Sequence, residues 1–381
     1  MDPQELGQWQ SFTVFVGYIQ ILTIGTTSGL NRELPYWLGK GNSEVAIRRL
    51  RTAGYFTTFL SLIIMILTIL TGSTLYLFDK ISLDTSIMLV FAFSTGALTI
   101  QTNFLGATFR SSQSFDKLAK IQVFTTLLYF TLLPLIYFFQ IWGYIAYQIF
   151  IGFALFVGYQ LFKPYKVKYK FEIFQFKELV KVGFPIYFWN YIASISRTVP
   201  RLILVLFGSP LLVGLYSPAA SVNAAMLNLP NYTNRYLFPR MSFKYGQTGD
   251  ANEVYNYVVR ASKVLFIVMI IIAGILAGII PFLFKTFFPN YVDGILAAQI
   301  TLFSGVFYSI NSLFHNGLNS LKNNKPFKVI VGFRLFYIIV FSGISFLILS
   351  NLLLAVSIGA VLTEFFNFLN YWYFLKKVKN D

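Results

Sequence analysis

Stretches of about twenty apolar residues recur from one end of the chain to the other. Each is long enough to cross a hydrocarbon core of about 30 Å. They lie near 9–30, 53–78, 86–108, 121–139, 143–162, 182–207, 212–233, 262–284, 295–318, 329–349 and 351–374. Read as spans, they make an all-α integral membrane protein of about eleven helices. Prolines such as Pro134, Pro185, Pro200, Pro218 and Pro281 fall inside them. Neighbouring helices re-satisfy the backbone groups these prolines free, so the assignment stands. Composition agrees: 56% of the 381 residues are hydrophobic and only 12% are charged, about half the charge of a soluble domain.

The same composition removes several chemistries. There is no cysteine, so neither a disulfide nor a thiolate site is possible. His315 is the only histidine, which excludes a multi-histidine metal centre and argues against a Ser-His triad. Gly39-Lys40-Gly41 lacks the glycine spacing and the Ser/Thr of a phosphate-binding loop. No cofactor is expected. Met1–Gln10 is acidic and polar, unlike a cleavable signal peptide.

The connecting segments divide sharply by charge. One set carries Arg32 to Arg51, Arg110 to Lys120, Lys163 to Lys181, Arg235 to Lys263, Lys322 to Lys328 and the tail from Lys376; the other set carries only Lys80 and Lys285. The excess of Lys and Arg marks the cytoplasmic side. This places the C-terminus in the cytoplasm and Met1 outside. The net charge of +16 then follows from topology and attraction to anionic lipid, with no call on nucleic acid. A chain that begins outside without a preceding helix leads to the expectation that a first helix is missing, as from a mis-assigned start codon. Ser43–Arg51 reads either as an amphipathic helix on the membrane surface or as an ordinary loop.

An internal repeat agrees with that expectation. Asp2-Pro-Gln-Glu-Leu-Gly-Gln-Trp9 is similar to Ser209-Pro-Leu-Leu-Val-Gly-Leu-Tyr216; Asn31-Arg32 matches Asn234-Arg235, and Glu44-Val45 matches Glu253-Val254. Six helices per half would make the repeat parallel, about an axis along the membrane normal. The domain reading is an N-terminal lobe over 1–165 with about five helices, a cytoplasmic linker over 166–181, and a C-terminal lobe over 182–381 with about six.

One span carries a polar seam. Tyr187, Asn190, Ser194, Arg197 and Arg201 recur at helical spacing on one face. Each arginine in lipid would cost roughly 2.5–3.5 kcal/mol or more, so the seam must face protein or water. A cavity that holds an anion fits it, because guanidinium binds phosphate oxygens bidentately. The next span has a similar seam of Ser217, Ser221, Asn228, Asn231 and Arg235.

The sequence around these seams resembles a known family. Phe176-Lys-Glu-Leu-Val-Lys-Val-Gly-Phe-Pro185 is similar to the entry to the seventh helix of polysaccharide exporters. These form the Wzx-like branch of the multidrug/oligosaccharidyl-lipid/polysaccharide (MOP) flippase superfamily, which also holds the MATE-like transporters. Arg201-Leu-Ile-Leu, Gly208-Ser-Pro210 and Gly214-Leu-Tyr-Ser-Pro-Ala219 resemble the motif that follows in that family. Pro3–Trp9 and Phe109–Ala119 resemble its motif after the first helix and its fourth-to-fifth helix loop. The family's acidic residue before the arginine is Pro200 here, which takes away an acidic role at that position.

The resemblance implies two six-helix lobes in a V around a central cavity that opens alternately to either face. The implied substrate is an oligosaccharide repeat unit on undecaprenyl diphosphate, exported for O-antigen, capsule or another surface polysaccharide alongside other polysaccharide-assembly proteins. Within that frame, Arg197 and Arg201 are candidates for the diphosphate, with Arg201 alternatively snorkelling to the outer interface. Asn190, Tyr187, Ser194, Asn228 and Asn231 are candidates for sugar hydroxyls or, equally, helix-to-helix glue. Arg235 is a candidate where the diphosphate enters, or an ordinary loop charge.

Two residues are candidates for coupling to a Na+ or H+ gradient. Glu364 is a carboxylate well inside a span, beside Asn367 and Tyr371; its alternative is a buried partner for an arginine. His315 shares a seam with Ser304, Tyr308, Asn311 and Asn319, where a proton-coupled role competes with a simple hydrogen bond. Arg334, about one turn inside its span, is expected to reach the cytoplasmic interface. The competing functions are a cation-coupled multidrug exporter, which the cationic seam disfavours, and a membrane polymerase or ligase, which short outer loops and the lack of an Asp-x-Asp pair disfavour.

Overall fold

The computed structural model describes residues 2–112, 114–248, 250–321 and 325–380. Twelve α-helices follow one another: α1 (Pro3–Ile19), α2 (Thr26–Gly39), α3 (Ser43–Leu77), α4 (Leu83–Ser111), α5 (Phe115–Thr131), α6 (Leu133–Leu161), α7 (Ile173–Phe207), α8 (Pro210–Thr248), α9 (Ala251–Phe287), α10 (Ile295–Ser320), α11 (Lys325–Leu349) and α12 (Leu352–Asn380). Among the described residues there is no strand. Among the described residues, eight helices are long and apolar enough to cross a membrane, and α1 with α2 makes a further, bent pair.

Local chemistry sets the helix starts. The side chains of Asn42, Ser82, Asp250 and Asn351 each accept a hydrogen bond from a backbone N–H in the first turn that follows. Such caps satisfy donors that the helix itself leaves orphaned. At the end of α3, Asp79 takes φ 53 and the Lys80 N–H reaches back to the Leu75 carbonyl at 2.9 Å, closing the helix with a left-handed residue.

Two expected boundaries differ. The stretch 9–30 is not one straight helix, because Ile24 (φ 41) and Gly25 (φ 75) are both left-handed and turn α2 by 48° from α1. Gly25 and Gly29 then approach the backbone of Leu179–Gly183 so closely that a Cβ on either would overlap it. This G-x-x-x-G spacing lets two helix backbones touch. The stretch 121–139 also ends early: α5 stops at Thr131, and the chain folds back at Gln140 (φ 50), bringing Gly143 against the Leu135 carbonyl.

Ser43–Arg51 is neither a surface helix nor a loop; it forms the first turns of α3. At 1.5 Å per residue this 35-residue helix is roughly 50 Å long, well beyond a core of about 30 Å. Its first turns carry polar chemistry. Arg49 is buried there, paired with Glu33 and 3.8 Å from Glu178, and it donates from Nε to Gln175 at 3.2 Å. Arg48 pairs with Glu172 at 2.7 Å.

The chain divides into two compact units. One holds Trp9–Tyr191; the other holds Pro3–Gln8 with Ile192–Asp381. In the first unit Leu30, Leu34, Ala46, Leu50, Phe104 and Ile121 belong to one buried cluster. In the second unit Met241, Val254, Val258, Phe314 and Ile330 belong to another. The element order repeats accordingly: bent α1–α2 then α3 to α6 corresponds to α8 then α9 to α12.

The repeated Pro-x-x-x-Gly motifs meet each other. A Cβ on Gly7 would overlap the Pro210 carbonyl, and a Cβ on Gly214 would overlap the Pro3 carbonyl. The contact is reciprocal, position for position.

Candidate functional site

The polar interior of the two units differs in kind. In the first unit the mid-span hydrogen bonds are neutral: Gln101 donates to the Ser61 hydroxyl at 3.2 Å, and Ser61 donates to the Ala97 carbonyl at 3.2 Å. In the second unit the interior is charged. Glu364 on α12 is 3% exposed. It pairs with Arg334 on α11. Asn311 on α10 donates from Nδ2 to the Glu364 carboxylate at 2.8 Å and to its backbone carbonyl at 2.9 Å. A carboxylate buried this deeply is tolerated only when paired and hydrogen-bonded. Arg334 therefore turns inward, and does not reach the interface as its position in the span led us to expect.

Beside this pair lies a narrow cavity of about 30 Å³, with walls that include Arg197, Asn223, Ser304, Tyr308, Arg334 and Glu364. That is room for about two water molecules. Arg197 comes from α7, where it is accessible to solvent although protein atoms surround it. This combination places it in a wet cleft of the second unit. Two arginines against one carboxylate leave the cleft positive by one charge. On its wall, Asn223 Oδ1 and Arg334 Nε are buried without a protein partner, polar atoms that call for a polar ligand or water.

The remaining candidates distribute as follows. Tyr187 and Asn190 belong to the first unit; Ser194, Arg197 and Arg201 belong to the second. Asn190 and Ser194 are exposed and Arg201 is half-buried, near Tyr216. On α8, Asn228 and Asn231 are exposed, and Asn231 accepts a hydrogen bond from the Tyr308 hydroxyl at 3.3 Å. Ser217 and Ser221 turn back onto the carbonyls of Val213 and Ser217. The side chain of Arg235 lies outside the described residues. His315 is hydrogen-bonded to Asn319 at 2.8 Å, with Phe327 4.6 Å from its ring centre. Sequence reasoning missed Asn223 and the inward Arg334. The alternative weighed for Glu364, a buried arginine partner, is met by Arg334.

No group of three or more His, Cys, Asp or Glu able to hold a metal occurs among the described residues. The cleft is positive and is rimmed by hydroxyls and amides.

A family described as "Polysaccharide biosynthesis protein" matches residues 1–284. No curated protein matches by sequence. Among solved structures, an inward-facing multidrug resistance MATE family transporter of the MOP superfamily aligns with a TM-score of 0.80 at 13% identity, over 100% of this chain and 92% of its own. A MOP superfamily transporter from Pyrococcus furiosus, described by the reversed polarity of its binding pocket, aligns with a TM-score of 0.62 at 17% identity, over 99% and 89%. An outward-facing MATE transporter aligns with a TM-score of 0.63 at 14% identity, over 100% and 90%. The fold is thus that of the MOP superfamily transporters.

Proposed function

Because the chain belongs to the polysaccharide biosynthesis protein family and has the fold of MOP superfamily transporters, we propose that it is a flippase for lipid-linked oligosaccharide. The substrate is a repeat unit on undecaprenyl diphosphate, moved by alternating access across the bacterial cytoplasmic membrane for surface polysaccharide synthesis. The C-terminus is cytoplasmic in this reading, and the protein performs no covalent chemistry.

The observation that carries the reading is the net positive cleft in the second unit, where Arg197 is accessible while Arg334 is held by Glu364. An anionic diphosphate suits it and a cationic drug does not. Arg197 supplies the bidentate phosphate contact, with Arg201 and Arg235 as further cationic positions along the same route. Tyr187, Asn190, Ser194, Asn228 and Asn231 offer hydrogen bonds to sugar hydroxyls. Transport requires that substrate favour one open state over the other, since a ligand with equal affinity for both drives nothing. Glu364 and His315 are the groups through which a Na+ or H+ gradient would act.

Deleting the gene and locating the lipid-linked glycan with a membrane-impermeant lectin tests the assignment. Accumulation on the cytoplasmic face, reversed by the intact gene, is the expected result. Accumulation on the outer face would replace the flippase by a polymerase or ligase. No accumulation, with altered drug sensitivity, would replace it by a drug exporter.

A further inference from the structure

We infer that residues 161–174, the connection between α6 and α7, form an anchor that binds anionic phospholipid headgroups at the membrane surface. The segment between the two helices has no regular secondary structure, and the exposure of its side chains alternates over 165–170. Tyr165, Val167 and Tyr169 turn inward onto the core cluster of the first unit. Lys166, Lys168 and Lys170 turn outward and are exposed.

The inward residues hold the segment in register. Tyr169 meets the Phe104 ring edge-on at 5.7 Å between centroids. The Gly54 position leaves room for that ring, since a Cβ there would clash with it. The Lys170 carbonyl accepts from the Thr52 hydroxyl at 3.5 Å. Arg48 pairs with Glu172 where α7 begins. A one-residue slip would bury the lysines and expose the tyrosines, so the register is strongly specified. The three lysines are thus presented outward at alternate positions.

The ends of the segment identify the partner. Leu161, Phe162, Ile173 and Phe174 are between 56% and 68% exposed. Leu161 and Phe162 close the apolar stretch 143–162, and Ile173 and Phe174 open α7 ahead of its apolar stretch. Exposed aromatic and aliphatic side chains beside a row of lysines suit the boundary between acyl chains and charged headgroups, and a soluble protein partner gains little from both together. Exposed Lys177 and Lys181 extend the same charge along the first turns of α7. The inference concerns only the first unit and does not depend on what the second unit transports.

Native mass spectrometry of the detergent-purified full chain, titrated with phosphatidylglycerol or phosphatidylcholine, tests it. The variant Lys166→Gln/Lys168→Gln/Lys170→Gln alters only outward side chains. It is expected to bind phosphatidylglycerol on the order of 100-fold more weakly, from about fivefold per lysine at a charged surface. Its phosphatidylcholine binding stays unchanged, which also reports an intact fold. Lys117→Gln/Lys120→Gln, in another loop, should weaken phosphatidylglycerol binding less than fivefold. Equal loss from that control, or no loss from the triple variant, overturns the inference. So does inorganic diphosphate that competes with phosphatidylglycerol for the wild type but not the triple variant, since the row would then be a phosphate site and not a lipid surface.

Discussion

Glu364 and Arg334 lie thirty residues apart in sequence and form a buried ion pair in the second unit. Asn311 closes the arrangement by donating to the same carboxylate from a third helix. Charge is buried here, and it is neutralised locally. What remains outside that balance is Arg197, accessible in the adjoining cleft.

Breaking the pair should be costly on either side. Glu364→Gln or Arg334→Met leaves one buried group without its counter-charge, at about 3–5 kcal/mol. The double variant should recover most of that loss, because neither charge is then stranded. Thermal unfolding of the four proteins in one detergent gives the coupling energy. Additive single losses would show that the pair is not coupled.

Arg197→Ala should separate function from stability. The side chain is exposed, so its removal changes unfolding by roughly 0.5 kcal/mol or less. Export of lipid-linked glycan is expected to fall at least about tenfold, the loss of one charge-assisted contact. Arg197→Lys should restore only part of it, since an ammonium cannot reproduce the planar fork. Normal export by Arg197→Ala at normal membrane abundance would remove this residue from the mechanism.

Glycines should respond according to what stands opposite them. Gly29→Val drives side-chain atoms into the Leu179 backbone, an overpacking cost of about 1–3 kcal/mol. Gly274 has nothing within 4 Å of a Cβ and sits inside α9. Gly274→Ala should therefore be neutral or stabilising by up to about 1 kcal/mol. The melting temperature should fall for Gly29→Val and hold or rise for Gly274→Ala.

Tyr169 gives a pH dependence. Burial raises its phenol above the ordinary value of 10.0, so the native state favours the neutral form. That contribution is fully present below pH 10 and is lost as pH rises through the higher folded value. Wild-type stability should fall more steeply with pH above 10 than that of Tyr169→Phe. The difference between the two curves from pH 8 upward isolates this one group; parallel curves would refute it.

Much of the architecture was legible because it rests on patterns that are local in sequence. Apolar runs mark the helices, and loop lysines mark their ends. The Pro-x-x-x-Gly motif recurs in both halves. The arginines of α7 announced a polar environment because lipid could not accept them. The rest depended on tertiary contacts that no local pattern encodes. Arg334 sits where it could have snorkelled outward, and only the position of α12 decides otherwise. Asn223 looked like one more polar residue on α8 until the cleft beside it was formed. The breaks at Ile24 and Gln140 were hidden for a related reason. Neither residue type favours positive φ, so the turns are imposed by packing and not by preference.

The reciprocal seating of Gly7 on Pro210 and of Gly214 on Pro3 makes the duplicated motif its own receptor. In a two-fold homodimer one substitution alters both sides of the interface at once. Here the two sides are written separately in one chain, so each copy can mutate alone, yet neither can drift without being checked against the other. The two glycines therefore have to stay small together. A bulky change at either leaves its partner without a place to sit, and repair has to come from the opposite half of the sequence.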